Sequence, residues 1–285
     1  MDFKSLKDTD LTTLTLTFNE AFSDYAVPMH FTVEQFAEKS LRDGTNLEYS
    51  VGAFDGETLV GFILLSLGTW NGKNTAYNGG TGVVPAYRGR KITQLLYQFC
   101  LPELKKAGVE QCTLEVLKSN RPAVKTYQNI GFIVNRSLES FKGELKNQPL
   151  DLSLEKEGIA LKEVTSLDWE KTQSFWDYGP SWQYDIPAIH RILNKSKIVG
   201  IFSNDNLIGY GIFNINTNRV AQFAIEETYR RQGLGRLLFW YLANNSSDSL
   251  SVINVDSRIE GTLNFLQKIG LYPHISQYEM ILPLT

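Results

Sequence analysis

One ten-residue pattern occurs twice in the chain. Tyr229-Arg230-Arg231-Gln232-Gly233-Leu234-Gly235-Arg236-Leu237-Leu238 aligns without a gap on Tyr87-Arg88-Gly89-Arg90-Lys91-Ile92-Thr93-Gln94-Leu95-Leu96. A strand-like run precedes each copy, Arg219 to Ile225 and Ala76 to Val84. Apolar residues at helical spacing follow: Leu234, Leu237, Leu238 and Tyr241 in the later copy, Ile92, Leu95, Leu96 and Phe99 in the earlier one. The first-turn N–H groups of such a helix lack internal partners, and its dipole favours an anion at that end. Glycine lets the backbone approach a ligand closely, and the basic residues around the turn add positive charge. Each copy therefore reads as a phosphate or pyrophosphate loop. The competing reading is a tight turn before a basic surface helix.

A second gap-free match strengthens the repeat. The hairpin Val199-Gly200-Ile201-Phe202 to Leu207-Ile208-Gly209-Tyr210 repeats Val51-Gly52-Ala53-Phe54 to Leu59-Val60-Gly61-Phe62. With 285 residues, the chain has length for two domains, and 42% hydrophobic residues supply two cores. We expect one domain over 1–145, a polar linker over 146–158 that starts with Lys146-Asn147-Gln148-Pro149, and a second domain over 159–285.

The remaining composition excludes rather than assigns. A net charge of -3 argues against nucleic acid as the main partner. Cys100 and Cys112 sit in apolar or strand-like contexts and suggest no disulfide framework, and His30, His190 and His274 are scattered, so no metal is expected. The polar start MDFKSLKDTD has no signal-peptide core, and no apolar run reaches membrane-spanning length, so the expected setting is cytoplasmic, without a membrane partner.

Along the chain, strand Phe3 to Leu6 is followed by a helix capped by Asp10, with Leu11, Leu14, Phe18 and Phe22 inward. A helix over Thr32 to Leu41 is expected to turn Val33, Phe36, Ala37 and Leu41 inward. After the hairpin and the loop come helix Ile92 to Ala107, strand Gln111 to Leu117 and a helix that begins at Asn120 and ends at Gly131. Two short strands, Phe132 to Val134 and Leu138 to Leu145, close the half. The second half restarts with strand Ala160 to Val164, helix Asp168 to Tyr178, helix Ile186 to Leu193, and then the hairpin, strand and loop. Helix Leu234 to Ala243, strand Leu250 to Val255, helix Ile259 to Ile269 and strand Gln277 to Leu282 follow. Each half reads β-α-α-β-β-β-α-β-α-β-β, an α/β fold with helices on both faces of a sheet.

This order, with Arg230-Arg231-Gln232-Gly233-Leu234-Gly235 after the fourth strand, resembles the GNAT acyltransferases, the GCN5-related N-acetyltransferases. Asn120, Ala123, Tyr127, Gly131 and Phe132 in the first half resemble a second segment of that family. The resemblance covers roughly 3–145 and 159–283. It implies two tandem GNAT-type domains, each a mixed, mostly antiparallel sheet flanked by helices. It also implies an N-acyltransferase that moves an acetyl group from acetyl-CoA, or another acyl-CoA, to a primary amine by direct attack, with no metal. The alternative is an acyl-CoA-binding or interaction protein without turnover.

Cofactor contacts are implied at Val83, Val84, Arg88, Gly89, Arg90, Lys91, Ile92, Thr93 and Asn120, and at Ile225, Arg230, Arg231, Gln232, Gly233, Leu234, Gly235 and Arg236. Tyr127 is the candidate general acid, since a phenol titrates near a thiol. It could equally pack on the sheet, and Asn120 could simply cap its helix. Glu115 is a candidate base or a solvated strand carboxylate. Tyr25 and Pro28 lie where the family shapes its acceptor pocket, with core packing as the rival role. Lys91 and Thr93 stand where the motif has glycines. Aligning Gly270 with Gly131 places Leu266 at the Tyr127 position, so the first half is expected to carry the chemistry. The acceptor is a small-molecule or peptide amine, and the expected state is a monomer with an internal pseudo-dimer or a weak homodimer.

Overall fold

The computed structural model describes residues 1–145, 158–246 and 249–284. The expected linker start, Lys146 to Pro149, lies outside the described residues. Two compact units form, one of Met1–Asn135 with Tyr278–Thr285 and one of Arg136–Gln277.

In the first unit the order is β1 (Asp2–Ser5), α1 (Leu11–Ala21), α2 (Val33–Asp43), β2 (Val51–Asp55), β3 (Thr58–Trp70), β4 (Lys73–Val83), α3 (Ile92–Lys106), β5 (Gln111–Leu117) and α4 (Arg121–Ile130). Strand β6 (Ile133–Gly143) follows. The second unit continues with β7 (Ile159–Val164), α5 (Trp169–Gln173), α6 (Ile186–Ile192), β8 (Ser196–Ser203), β9 (Asn206–Asn214), β10 (Arg219–Ile225), α7 (Leu234–Asn244), β11 (Leu250–Asp256), α8 (Glu260–Ile269) and β12 (Tyr272–Pro283). Neighbours pair antiparallel in β1-β2-β3-β4 and in β7-β8-β9-β10, while β4–β5 and β10–β11 are parallel.

The last strand of each sheet comes from the other half of the chain. Beside β5 lies β12, where the Thr113 hydroxyl donates to the Met280 carbonyl at 3.2 Å and Met280, Leu282 and Leu284 join the first unit's core. Beside β11 lies β6, paired from Leu250↔Gly143 to Asp256↔Leu138, and Phe141 joins the second unit's core. The compact units therefore differ from a cut at residue 145.

The two short strands expected around Asn135-Arg136-Ser137 are one strand, because Asn135 and Arg136 are anchored rather than turned. The Asn135 amide donates to Glu279 at 2.7 Å in the first unit, and Arg136 donates to the Gly179 carbonyl at 2.7 Å in the second. Likewise β12 starts at Tyr272, earlier than the expected Gln277.

Three further expectations change. Helix α5 ends at Gln173, since Trp176, Asp177 and Tyr178 turn into the wall of a cleft. On α2, Leu41 is exposed, and Lys39 and Asp43 join Phe36 inside. Their charges pair at 2.7 Å, and Lys39 also donates to the Gly79 carbonyl at 2.6 Å. On α3, Leu95 and Phe99 are exposed while Tyr97, Cys100 and Leu104 are buried. Both cysteines are buried and unpaired, and burial pushes the Cys100 thiol up to about 12. Among the described residues, no helix is long and apolar enough to cross a membrane, and no three His, Cys, Asp or Glu residues gather as a metal site.

Candidate functional site

Both units carry the same opening in the sheet. In the first, β4 and β5 stay in parallel register from Thr75↔Gln111 to Asn78↔Leu114 and pair no further. The ladder of β4 with β3 shifts there, leaving Gly79 unpaired as a bulge. In the second, β10 and β11 pair only at Arg219↔Ser251 and Val220↔Val252, and the bulge falls on Ala221. Beyond each bulge the parallel strands no longer bond to one another, which leaves backbone groups for a ligand.

The loop follows at the open end. A short 3-10 turn, Pro85–Tyr87 or Glu227–Tyr229, leads into it. Each loop then takes two left-handed residues: Gly89 (φ 77) and Lys91 (φ 59) in the first unit, Arg231 (φ 61) and Gly233 (φ 89) in the second. Lys91 and Gly233 are the residues immediately before α3 and α7, so Lys91 adopts the same left-handed backbone as its glycine counterpart. Arg88 donates to the carbonyls of Val83 and Ala21 and makes a two-pronged pair with Asp24 at 2.6 and 2.8 Å. Arg230 repeats this on the carbonyls of Ile225 and Phe175 and pairs with Asp177 at 2.5 Å. Both guanidinium groups tie the loop down, which leaves ligand contact to the loop backbone and the other cations. Arg90 stacks on the Tyr87 ring at 4.8 Å, and Gln232 donates to the Thr228 carbonyl at 3.1 Å. Val84 is buried and donates to Val60, Ile92 and Leu234 are buried at the helix starts, and Thr93 is half-buried. A side chain at Gly235 would meet the Phe265 ring at 3.0 Å, which accounts for glycine there.

In the first unit Tyr127 is 9% exposed and stands edge-on to Phe132 and Tyr97. Burial raises its phenol above the ordinary value, and hydrogen bonding to Thr81 and Asn78 pulls it back in part. Asn78 also donates to Thr81 and to Tyr97, both at 2.7 Å. Tyr127 is therefore both packed and polar-tipped, with its hydroxyl among groups of the splayed strand. Asn120 caps α4, accepting from the Ala123 N–H at 3.2 Å, and also bonds Tyr25. Glu115 is half-buried and accepts from the Tyr77 hydroxyl at 2.7 Å; burial and then the Glu115 charge hold that phenol protonated. Tyr25 is half-buried against Phe22, while Pro28 is exposed.

In the second unit a cleft of about 600 Å³ runs from Arg231, Gly233 and Arg236 to the aromatic end formed by Trp176, Tyr184 and Tyr210. Its walls are hydrogen-bonded. Trp176 donates to the Tyr210 hydroxyl at 2.6 Å, that hydroxyl donates to Gln222 at 3.0 Å, and Gln222 donates to the Tyr184 carbonyl. Thr262 donates to Asp177 at 3.1 Å. At the Tyr127 position stands Leu266, fully buried. Asn254 occupies the fifth of the seven residues of β11, as Glu115 does in β5. Sequence reasoning did not single out Asn254; the signal was an asparagine at the carboxylate's place in the repeat.

Known proteins agree with this geometry. The structure resembles a GCN5-related N-acetyltransferase from Sphaerobacter thermophilus, at 11% identity over 99% of this chain and 95% of that one, with a TM-score of 0.72. It also resembles a tandem GNAT protein from the clavulanic acid biosynthesis pathway, at 15% identity over 100% of this chain and 98% of the other, with a TM-score of 0.70. In sequence, 83 residues are 34% identical to the streptothricin acetyltransferase of Streptomyces lavendulae, covering 29% of this chain and 42% of that relative. The model of the acetyltransferase (GNAT) family matches 12–132 and 161–270. The repeated loop, the bulged and splayed strands and these matches together make the chain a member of the acetyltransferase (GNAT) family.

Proposed function

We propose that the protein is an N-acyltransferase that moves an acetyl group from acetyl-CoA to a primary amine, with the chemistry in the first unit. The observation that carries this reading is the Tyr127 hydroxyl, polar-tipped beside the splayed part of β4. The site residues suit the donor. Backbone N–H groups at Ile92 and Thr93, and at Leu234 and Gly235, open α-helices at left-handed turns and would receive the pyrophosphate oxygens. Arg90, Lys91, Arg231 and Arg236 would add positive charge. Acyl-CoA supplies an activated thioester when bound.

Tyr127 would hold the proton for a leaving thiolate, and burial keeps its phenol protonated at neutral pH. Glu115 is the candidate to take a proton from the acceptor ammonium, directly or through water, with Tyr77 fixing its orientation. Tyr25 and Pro28 would border the acceptor. The name of the Streptomyces relative supports a small-molecule amine, so streptothricin belongs among the acceptors tried.

The test is release of free thiol from acetyl-CoA with a panel of amines. Turnover with at least one amine is expected. Tight CoA binding without turnover on any amine would retire the enzyme and leave the second reading, a CoA-binding protein. One observation favours that second reading for the second unit: the buried Leu266 and the cleft-lining Asn254 stand where the first unit carries a phenol and a carboxylate.

A further inference from the structure

We infer that Asn254 is a ligand-recognition residue of the second unit's cleft, its side-chain carbonyl accepting a hydrogen bond from an N–H group of the bound molecule. The inference rests on the acyl-CoA reading above and goes beyond it by assigning a residue and a chemistry.

Asn254 lies two residues past Val252, the last residue of β11 that pairs with β10. It is therefore at the narrow end of the gap, away from the loop. An irregularity between Val252 and Val255 takes it out of the ladder with β6, and its φ of 60 is one that asparagine tolerates better than most residues. Asn254 lines the cleft and is 3% exposed. Its amide nitrogen donates to the Ser181 hydroxyl at 3.0 Å. Its carbonyl oxygen is buried and, among the described residues, receives no hydrogen bond. Such an unmet acceptor is costly in a folded interior, and a ligand that donates to it removes the cost on binding.

A side-chain carbonyl accepts N–H and takes no proton near neutral pH. Asn254 would thus orient a ligand where Glu115, at the matching place, can titrate. Two N–H sources share this chemistry: an amide of the pantetheine arm and the amino group of the acceptor.

The experiment uses the full chain. CoA is titrated by calorimetry in a Gly89→Glu background: at φ 77 the side chain adds about 1 kcal/mol of strain but meets nothing within 4 Å, and its carboxylate would close the first loop to pyrophosphate. Initial rates with acetyl-CoA and the amine panel are measured without that change. Asn254→Leu, close in shape but without the acceptor, is expected to weaken CoA by about tenfold if the donor is the arm. If the donor is the acceptor, it raises the amine KM by about the same factor while CoA binding holds. Asn254→Asp, which keeps an oxygen there, is expected to stay within about threefold of the parent on the affected arm. The ligand-free Tm of Asn254→Leu is expected to fall modestly, because leucine is strained at φ 60 and the bond to Ser181 is lost, so the inference is read from CoA affinity and amine KM. Unchanged CoA affinity and amine KM in Asn254→Leu would overturn the inference. So would equal losses in both variants, or no CoA heat in the Gly89→Glu background when the unaltered chain gives heat. No heat and no turnover from the unaltered chain would instead end the acyl-CoA reading, and this inference with it.

Discussion

The two loops reach one backbone shape from opposite sequences. The first has glycine and then lysine at its left-handed positions, Gly89 and Lys91; the second has arginine and then glycine, Arg231 and Gly233. A left-handed residue other than glycine is strained by about 1 kcal/mol. Each loop thus bears one such strain and avoids the other. What holds the shape is common to both: the 3-10 turn before the loop and the arginine that ties the strand end to a carbonyl at or just past the end of the unit's first helix and to a carboxylate. Glycine content is therefore a poor guide to whether such a loop still binds an anion. The units differ instead at two matched places, a phenol and a carboxylate in one and a leucine and an amide in the other.

The largest expected effect separates the two ties. Arg230→Ala should lose about 2–3 kcal/mol, since it strands two carbonyls and its pair with Asp177 is less exposed than that of Arg88. Arg88→Ala should lose only about 1–2 kcal/mol, because its pair with Asp24 is largely exposed. Urea denaturation measures both, and equal losses would break the distinction. Next, Tyr127→Phe should lower turnover by about tenfold or more with CoA affinity held. A steady-state rate within about twofold of the parent would remove the first unit's claim to the chemistry. Smaller still, Lys91→Gly and Arg231→Gly should each raise stability by about 0.5–1 kcal/mol in thermal unfolding, and Gly233→Ala should lower it by about as much. A loss at Lys91→Gly would mean that the lysine side chain, rather than the tie, holds the first loop.

A further effect is one of pH. Asp185 caps α6 through the Ala188 N–H, and burial lifts its carboxyl from 3.8 to about 6. The folded state then holds this proton more tightly than the unfolded one. Its contribution is full below pH 3.8 and is lost as pH rises through about 6. Asp185→Asn keeps the cap and should flatten that part of the stability curve, most visibly by gaining stability relative to the parent at neutral pH. Parallel curves for the two proteins would contradict the raised value.

Much of this was legible from the sequence, for reasons the residues make plain. The loop after β4 and β10 is a local motif, and helices such as Leu234–Asn244 carry their signal in a few turns. Inward charges were harder. Lys39 and Asp43 follow Phe36 on one face of α2, but nothing local says that the bulge at Gly79 presents a carbonyl to Lys39. Asn254 needed the ladder shift in β11, which depends on pairing with a strand more than a hundred residues earlier. The roles of Arg88 and Arg230 read as ligand contacts in sequence because their partners, Asp24 and Asp177, are far along the chain. Strand exchange left no trace, because pairing partners are not encoded in alternation alone.

That exchange has a consequence for how the protein is made. The second unit occupies an unbroken run, Arg136–Gln277, whereas the first needs Tyr278 onward to finish its sheet. A ribosome that has just released Ile130 has synthesised the motifs of the first unit but not its closing strand. The Thr113 hydroxyl and the Met280 carbonyl stand 167 residues apart in the chain, a separation that makes this closure entropically slow. The half made first is thus the half completed last, and until then the open edge of β5 offers its unpaired backbone to any other strand in reach. Expressing residues 1–145 alone would freeze the protein at that vulnerable stage, so aggregation of that fragment, rather than a working half-enzyme, is the outcome its topology favours.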